Sequence, residues 1–250
     1  VYFQKKIFDN QSLLSVVATD GHRLAKVDFE YEANSQDISG VIIPKKTVNE
    51  LYKLLVDYNG PIKINLNSNK IVFFINESIL ISKLIDGNFP DYRKVIPNEN
   101  YNILKINRHD FSLAVDRVST ITSDQSPVIK FKLLNNLMNM TSVNSENGTA
   151  TEDIVTEYSG KEIEIGFNSK YILEMINNLE DEVIILSFKD SASPVTAIEE
   201  SNPNLVYVLM PMRVWFFLSY FQSISLTNYR NFFDTNFYFD KGCNIIIGKN

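Results

Sequence analysis

The residue types best suited to chemistry lie in one short stretch, Thr19-Asp20-Gly21-His22-Arg23-Leu24. An Asp two residues before a His could serve as an acid–base pair or as half of a metal site. The same residues also make a tight turn between strands, with Gly21 supplying a positive φ. The turn is the expected reading, because no second His and no Cys lies nearby in sequence. The other histidine, His109, precedes an apolar helical pattern and is expected to be exposed near its start. No H-E-x-x-H, G-x-S-x-G, complete Walker A or G-x-G-x-x-G pattern occurs. Gly248-Lys249-Asn250 follows an apolar strand pattern, as a phosphate loop would, but the G-x-G-K-[ST] part does not arrive. The acidic run Glu180-Asp181-Glu182 is expected to be a solvated face. No catalytic residue, metal or cofactor is expected.

The elements around these residues are short strands with a few helices between them. Ile62–Leu66 alternates apolar and polar, a turn-forming Asn67-Ser68-Asn69-Lys70 follows, and Ile71–Ile75 returns as a hairpin. Ile129, Phe131 and Leu133 alternate in the same way before Asn135-Asn136 and Leu137–Thr141. Helical period appears at Val48, Leu51, Tyr52 and Leu55, at Phe111, Ala114, Val115 and Val118, and at Ile172, Met175, Ile176 and Leu179. Short helices among many strands predict an α+β fold with antiparallel sheets. The first and last of these helices lie 124 residues apart, and so do Val41 and Ile43 from Ile165 and Phe167, and Leu13–Thr19 from Leu137–Val143. A shared offset of this length predicts two copies of one domain, divided near Asn98-Glu99-Asn100.

The chain has 250 residues, 44% of them hydrophobic and 22% charged, with a net charge of −6. That composition excludes collagen-like, coiled-coil and highly charged disordered classes. No apolar run approaches the ~20 residues of a membrane-spanning helix. The single cysteine, Cys243, excludes an intrachain disulfide framework and a multi-cysteine zinc site, and the cytoplasm is the expected compartment. The chain opens on strand-like Val1-Tyr2-Phe3-Gln4 without an initiator Met and stops where a strand meets a turn, so it is expected to be part of a longer protein. Residues 215–250 hold 11 of the 30 aromatic residues and fit neither repeat.

At Val17–Ala25 the sequence resembles the beta subunit of bacterial DNA polymerase III, the sliding clamp. The resemblance continues in order through Ile42-Ile43-Pro44-Lys45-Lys46, Gly87–Arg93, Glu164–Asn168 and Val208–Arg213, and covers residues 1–214. It implies a DNA-clamp fold of repeated domains: residues 1–100 as a partial second (middle) domain and 101–214 as the third. It also implies a processivity factor without intrinsic catalysis. In the family, two three-domain protomers close head to tail around duplex DNA and dock DNA polymerase III subunits, the clamp loader and repair polymerases through a peptide cleft. No membrane partner is implied.

The matching cleft positions from the middle domain are Thr19, Gly21, His22, Arg23, Leu24, Pro90, Lys94 and Val95. Those from the third domain are Asn168, Tyr171, Val208, Leu209, Met210, Pro211, Met212 and Arg213. Leu24, Val95, Val208 and Leu209 would form apolar walls, and flexible Met210 and Met212 suit many partners. Lys94 stands where the best-known members carry Arg, so bidentate bonding is lost there. Lys45 and Lys46, placed just before the first helix, match a DNA-facing pair, and Lys53, Arg108 and Arg117 are helix candidates. With the first domain absent, the head-to-tail homodimer is not expected for this chain, and its apolar strand faces are expected to favour aggregation. Residues 215–250, through Ile224–Phe232 and Gly242–Asn250, resemble the N-terminus of the RecF family of DNA-repair ATPases. The alternative reading is therefore a fusion with an ATP-binding segment that is incomplete as an ATPase.

Overall fold

The structure is a computed structural model that describes residues 1–8, 11–30, 40–123, 127–144, 146–212, 223–230 and 232–239. Val1–Arg213 forms one compact unit and Val214–Asn250 a second. In the larger unit the elements run β1 (Tyr2–Phe8), β2 (Gln11–Thr19), β3 (Arg23–Glu30), β4 (Val41–Ile42), α1 (Lys45–Leu55), β5 (Lys63–Leu66), β6 (Lys70–Ile75) and β7 (Ser78–Lys83). They continue as β8 (Asn102–Asn107), α2 (Arg108–Ser119), β9 (Val128–Leu134), β10 (Leu137–Asn144), β11 (Gly148–Val155), β12 (Glu157–Tyr158) and β13 (Ile163–Asn168). Last come α3 (Ser169–Asn177), β14 (Val183–Phe188), β15 (Val195–Ile198) and β16 (Leu205–Leu209). In the smaller unit β17 (Ser223–Tyr229) and β18 (Phe232–Tyr238) form a hairpin, and Phe233 and Tyr238 on it are exposed.

Among the described residues every strand pairing is antiparallel, as the α+β reading predicts. The pairings also repeat. β1 joins β2 and β4, and β2 joins β3; likewise β9 joins β10 and β13, and β10 joins β11. The hairpins β5-β6-β7 and β14-β15-β16 then repeat each other. The two copies meet where β16 pairs with β3, which makes one nine-stranded sheet ordered β12-β8-β14-β15-β16-β3-β2-β1-β4.

The second copy holds the larger core. Phe111, Ala114, Val115 and Val118 of α2 and Ile172, Met175 and Ile176 of α3 are buried against Ile129, Phe131, Leu133, Met138 and Met140 of the sheet. Asparagines start both helices: Asn107 accepts from the Asp110 N–H at 3.1 Å and Asn168 from the Lys170 N–H at 3.0 Å. Caps of this kind contribute about 1 kcal/mol each.

Among the described residues the first copy shows no counterparts of β8 and α2, and its burial pattern differs from that of the second. Leu14 and Val16, which match Met138 and Met140, are only partly buried, and Phe29 is 50% exposed. Ser15 and Val17, on the opposite face of β2, are fully buried. Tyr52 is the one member of the α1 stripe that departs from expectation: it is 71% exposed, while Val48, Leu51 and Leu55 pack on the core. Among the described residues no second helix lies beside α1. Lys45 and Lys46 lie in the first turn of α1, and His109 in the first turn of α2, rather than before them.

Asn136 holds φ at 54° in the β9–β10 turn, and its side chain accepts the Tyr158 N–H at 3.2 Å. Asn136→Ala would lose that bond and adopt αL at a steric penalty. Chemical denaturation should show a stability loss of about 1–3 kcal/mol.

Candidate functional site

The seam between β16 and β3 carries a groove. Its base is the antiparallel pairing Val208↔Leu24 and Leu209↔Arg23, and the Met210 N–H extends the ladder by donating to the His22 carbonyl at 2.9 Å. Alternation along β16 turns Val208 to one face and Leu209 to the other. Val208 joins Val17, Leu24 and Tyr92 in a small buried cluster, with Phe89 and Val95 packed around it. Above this cluster lies a cleft of about 440 Å³ lined by Thr19, Asp20, Gly21, Arg23, Leu24, Phe89, Pro90, Tyr92, Val95, Val208 and Met210. A mostly apolar groove of this volume, rimmed by a few polar groups, suits part of a peptide.

The rim is the Asp20–Arg23 turn, which is structural, as the sequence indicates. Gly21 has φ of 87°. The Asp20 carboxylate accepts from the N–H groups of His22 and Arg23, each at 3.0 Å, and from Arg23 Nε at 3.1 Å. Thr19 Oγ1 donates to the Arg23 carbonyl at 2.7 Å and accepts from Gly21 N–H. Arg23 then reaches the other copy. Its Nη1 lies 2.5 Å from Glu174 Oε2, and its guanidinium sits 4.3 Å from the Tyr171 ring centre. His22 stacks on the same ring, with centroids 6.3 Å apart. The turn thus ties the first copy to α3 of the second.

Partial burial raises the Asp20 carboxyl, but the hydrogen bonds from His22 and Arg23 outweigh it and hold the group below its ordinary 3.8. A depressed folded value contributes stability that is present above pH 3.8 and is lost as pH falls through the folded value. Acid should therefore loosen the turn and weaken ligand binding in the cleft. Affinity should fall for the native chain as pH is lowered below 3.8 through the folded value. Asp20→Asn should bind more weakly at pH 6 and show a flatter profile.

The structure thus gathers Thr19, Gly21, Arg23, Leu24, Pro90, Val95, Val208 and Met210 of the sequence-derived cleft set. Leu209 is placed in the second copy's core and is not among the residues lining the cleft. Lys94 points to solvent, 82% exposed, and pairs weakly with Asp91 at 3.9 Å, so it does not line the cleft. Asn168 caps α3, and Met212 bridges to Gly166 away from the lining. Tyr171 and His22 border the groove through Arg23, while Pro211 is half-buried beyond Met210. Arg213 lies outside the described residues, as do Cys243 and the Gly248-Lys249-Asn250 run. Sequence reading missed Asp20, Phe89 and Tyr92 as cleft residues. Phe89 and Tyr92 both lie within or beside the matched Gly87–Arg93 motif, which was the available signal.

The basic candidates separate into two kinds. Lys45, Lys46 and Lys53 line a shallow basin on α1 with Asn49, Glu50 and Tyr52. Lys53 pairs with Glu50 at 3.0 Å, and both Lys45 and Lys46 are exposed. Arg117 is instead held by Glu152, and Arg108 donates to the Asp181 carbonyl at 3.0 Å. Among the described residues no cluster of three or more His, Cys, Asp or Glu is placed to hold a metal, and no helix is long and apolar enough to cross a membrane.

Tandem α+β repeats joined edge to edge, with helices layered on antiparallel sheets, define the DNA-clamp class of fold. Family models agree: the DNA polymerase III beta subunit central domain matches residues 5–91 and its C-terminal domain residues 93–213. The beta sliding clamp of Caulobacter vibrioides (strain NA1000 / CB15N) is 37% identical over 204 residues, 82% of this chain and 55% of the relative. That of Escherichia coli (strain K12) is 33% identical over 214 residues, 85% of this chain and 58% of the relative. Among solved structures, a sliding clamp from Bartonella birtlesii bound to griselimycin superposes with a TM-score of 0.82 at 40% identity, covering 85% of this chain and 57% of that one. The chain belongs to the DNA polymerase III beta subunit family. It spans somewhat more than half the length of these relatives.

Proposed function

We propose that the chain is the partner-docking part of a bacterial DNA sliding clamp, a cytoplasmic processivity factor that performs no catalysis. Its cleft takes a short peptide from replicative polymerase, clamp loader or repair polymerases. The observation that carries this reading is the groove on the β16–β3 seam. Val208, Leu24 and Tyr92 form its floor, and the neighbouring Met210 adapts to different side chains. The seam supplies apolar burial, while Arg23 and the backbone of the Asp20 turn supply polar groups at the rim. A fluorescent peptide carrying Leu and Phe should saturate the chain, and an isomer with those side chains replaced by Ser should not.

The DNA side is electrostatic and blind to sequence. The net charge of −6 fits this if the lysines are concentrated on one face, since acidic surfaces elsewhere keep the contact weak enough to slide. Lys45 and Lys46 at the start of α1, with Lys53 two turns further along the same face, are the proposed phosphate contacts; Arg108 and Arg117 are weaker candidates because both are already engaged. Lys45→Glu/Lys46→Glu should weaken duplex binding equally for unrelated sequences. It should also reduce the slope of log affinity against log salt by about 2.

A further inference from the structure

Arg23 lines the cleft, but its charge is largely committed within the chain. Glu174 does not line the cleft, and its side chain is 59% exposed. It sits on α3 three residues after Tyr171, and positions at this spacing share a helix face. That face offers an aromatic ring and a carboxylate side by side. The Arg23 guanidinium lies 4.3 Å from the Tyr171 ring centre, with its Nη1 2.5 Å from Glu174 Oε2. From the other copy, Asp20 Oδ2 accepts from Arg23 Nε at 3.1 Å. Arginine grips an external carboxylate best through a pair of parallel N–H groups. With Nε and Nη1 both taken, each such edge of the fork has already lost a donor.

The charge balance points the same way. Arg23 stands between two carboxylates, so this rim is net negative. Partial burial works against the Arg23 charge, but the hydrogen bonds to Glu174 and then to Asp20 outweigh it and raise its pKa. On the Pro90 side the balance is reversed, since Asp91 faces both Arg93 at 3.0 Å and Lys94 at 3.9 Å. Without the Glu174 charge, Asp20 and Arg23 would cancel, and Nη1 would be open to a ligand.

We propose that Glu174 is a specificity-determining residue of the cleft, which positions Arg23 and withholds it from acidic ligands. This rests on the peptide-docking reading of the seam. The ligands favoured at this rim are apolar peptides with neutral or basic flanks. A peptide with acidic flanks must compete with Glu174 for Arg23.

The test uses the full chain and three fluorescent peptides that share a Leu and Phe core and carry Asp, Gln or Lys at both ends. Charge at both ends meets both rims, so the quantity read is the change in the Asp-to-Lys affinity ratio between chains, in which the Pro90 side cancels. At low salt Glu174→Gln should raise that ratio at least about fivefold, and roughly 0.5 M salt should erase most of the gain. Glu174→Ala should shift it in the same direction, so a folding defect in one variant leaves the other to decide. Glu174→Asp keeps the charge and should stay within about twofold of the native ratio. Glu146→Gln makes the same charge change on the exposed β10–β11 turn of another sheet and should leave the ratio unchanged. A merely structural tie would make Glu174→Gln weaken all three peptides alike. That result, an unchanged ratio, or an equal shift from Glu146→Gln would overturn the proposal. A native chain that melts cooperatively but does not bind even the Gln-flanked peptide would instead remove the docking reading, and the proposal with it.

Discussion

Met210→Asp is expected to weaken binding of an apolar peptide by at least about 100-fold while leaving the fold intact. Met210 lines the cleft just beyond the end of β16, close to Val208 and Leu24. Its structural contribution is a backbone hydrogen bond to His22, which any side chain preserves. A partly exposed Asp stays hydrated in the free chain and loses that hydration only when a peptide covers it. The loss therefore falls on binding and not on stability. Met210→Leu conserves volume and apolarity and should stay within a few-fold of the native affinity. Fluorescence anisotropy gives the affinities and thermal melting the control. Equal affinity for Met210→Asp and the native chain would remove Met210 from the site.

The second large effect concerns stability. Phe131→Ala should destabilise the second repeat by about 3–5 kcal/mol. The ring is 1% exposed and lies 5.8 Å from Phe111 and 5.4 Å from Phe167, centroid to centroid. It joins α2 to the sheet, so truncation leaves a cavity bounded on all sides. Phe73 is also 1% exposed but sits in the much smaller core of the first repeat, where α1 is the only helix among the described residues. That core is freer to collapse or admit water, so Phe73→Ala should cost less than Phe131→Ala. Urea unfolding of both variants checks the order, and a larger loss for Phe73→Ala would contradict it.

The helices, the hairpins and the turn at Gly21 were legible in the sequence because their signals are local. α3 places Ile172, Met175 and Ile176 on one buried stripe, as their spacing requires. The repeat was legible too, since equivalent strands and helices keep one offset over most of their length. The facing of β16 was not. Its sequence Leu-Val-Tyr-Val-Leu is apolar throughout because both faces are covered, so no alternation distinguishes Val208 in the seam from Leu209 in the core. The exposure of Tyr52 was hidden for a related reason, since periodicity marks an apolar stripe without showing whether a neighbour exists to cover it. The ties of Arg23 were not legible either. Its ties to Asp20, Glu174 and Tyr171 join residues as far as 151 positions apart, a proximity only the fold supplies.

The central claim is that the β16–β3 seam is a peptide-docking site. The most direct test is to titrate a fluorescent Gln-Leu-x-Leu-Phe-type peptide into the native chain and into Met210→Asp, monitoring both melts. Saturable binding to the native chain, lost in the variant with its melt unchanged, is the predicted result. A native chain that melts cooperatively and does not bind, or that binds equally well with Asp at position 210, would contradict the assignment.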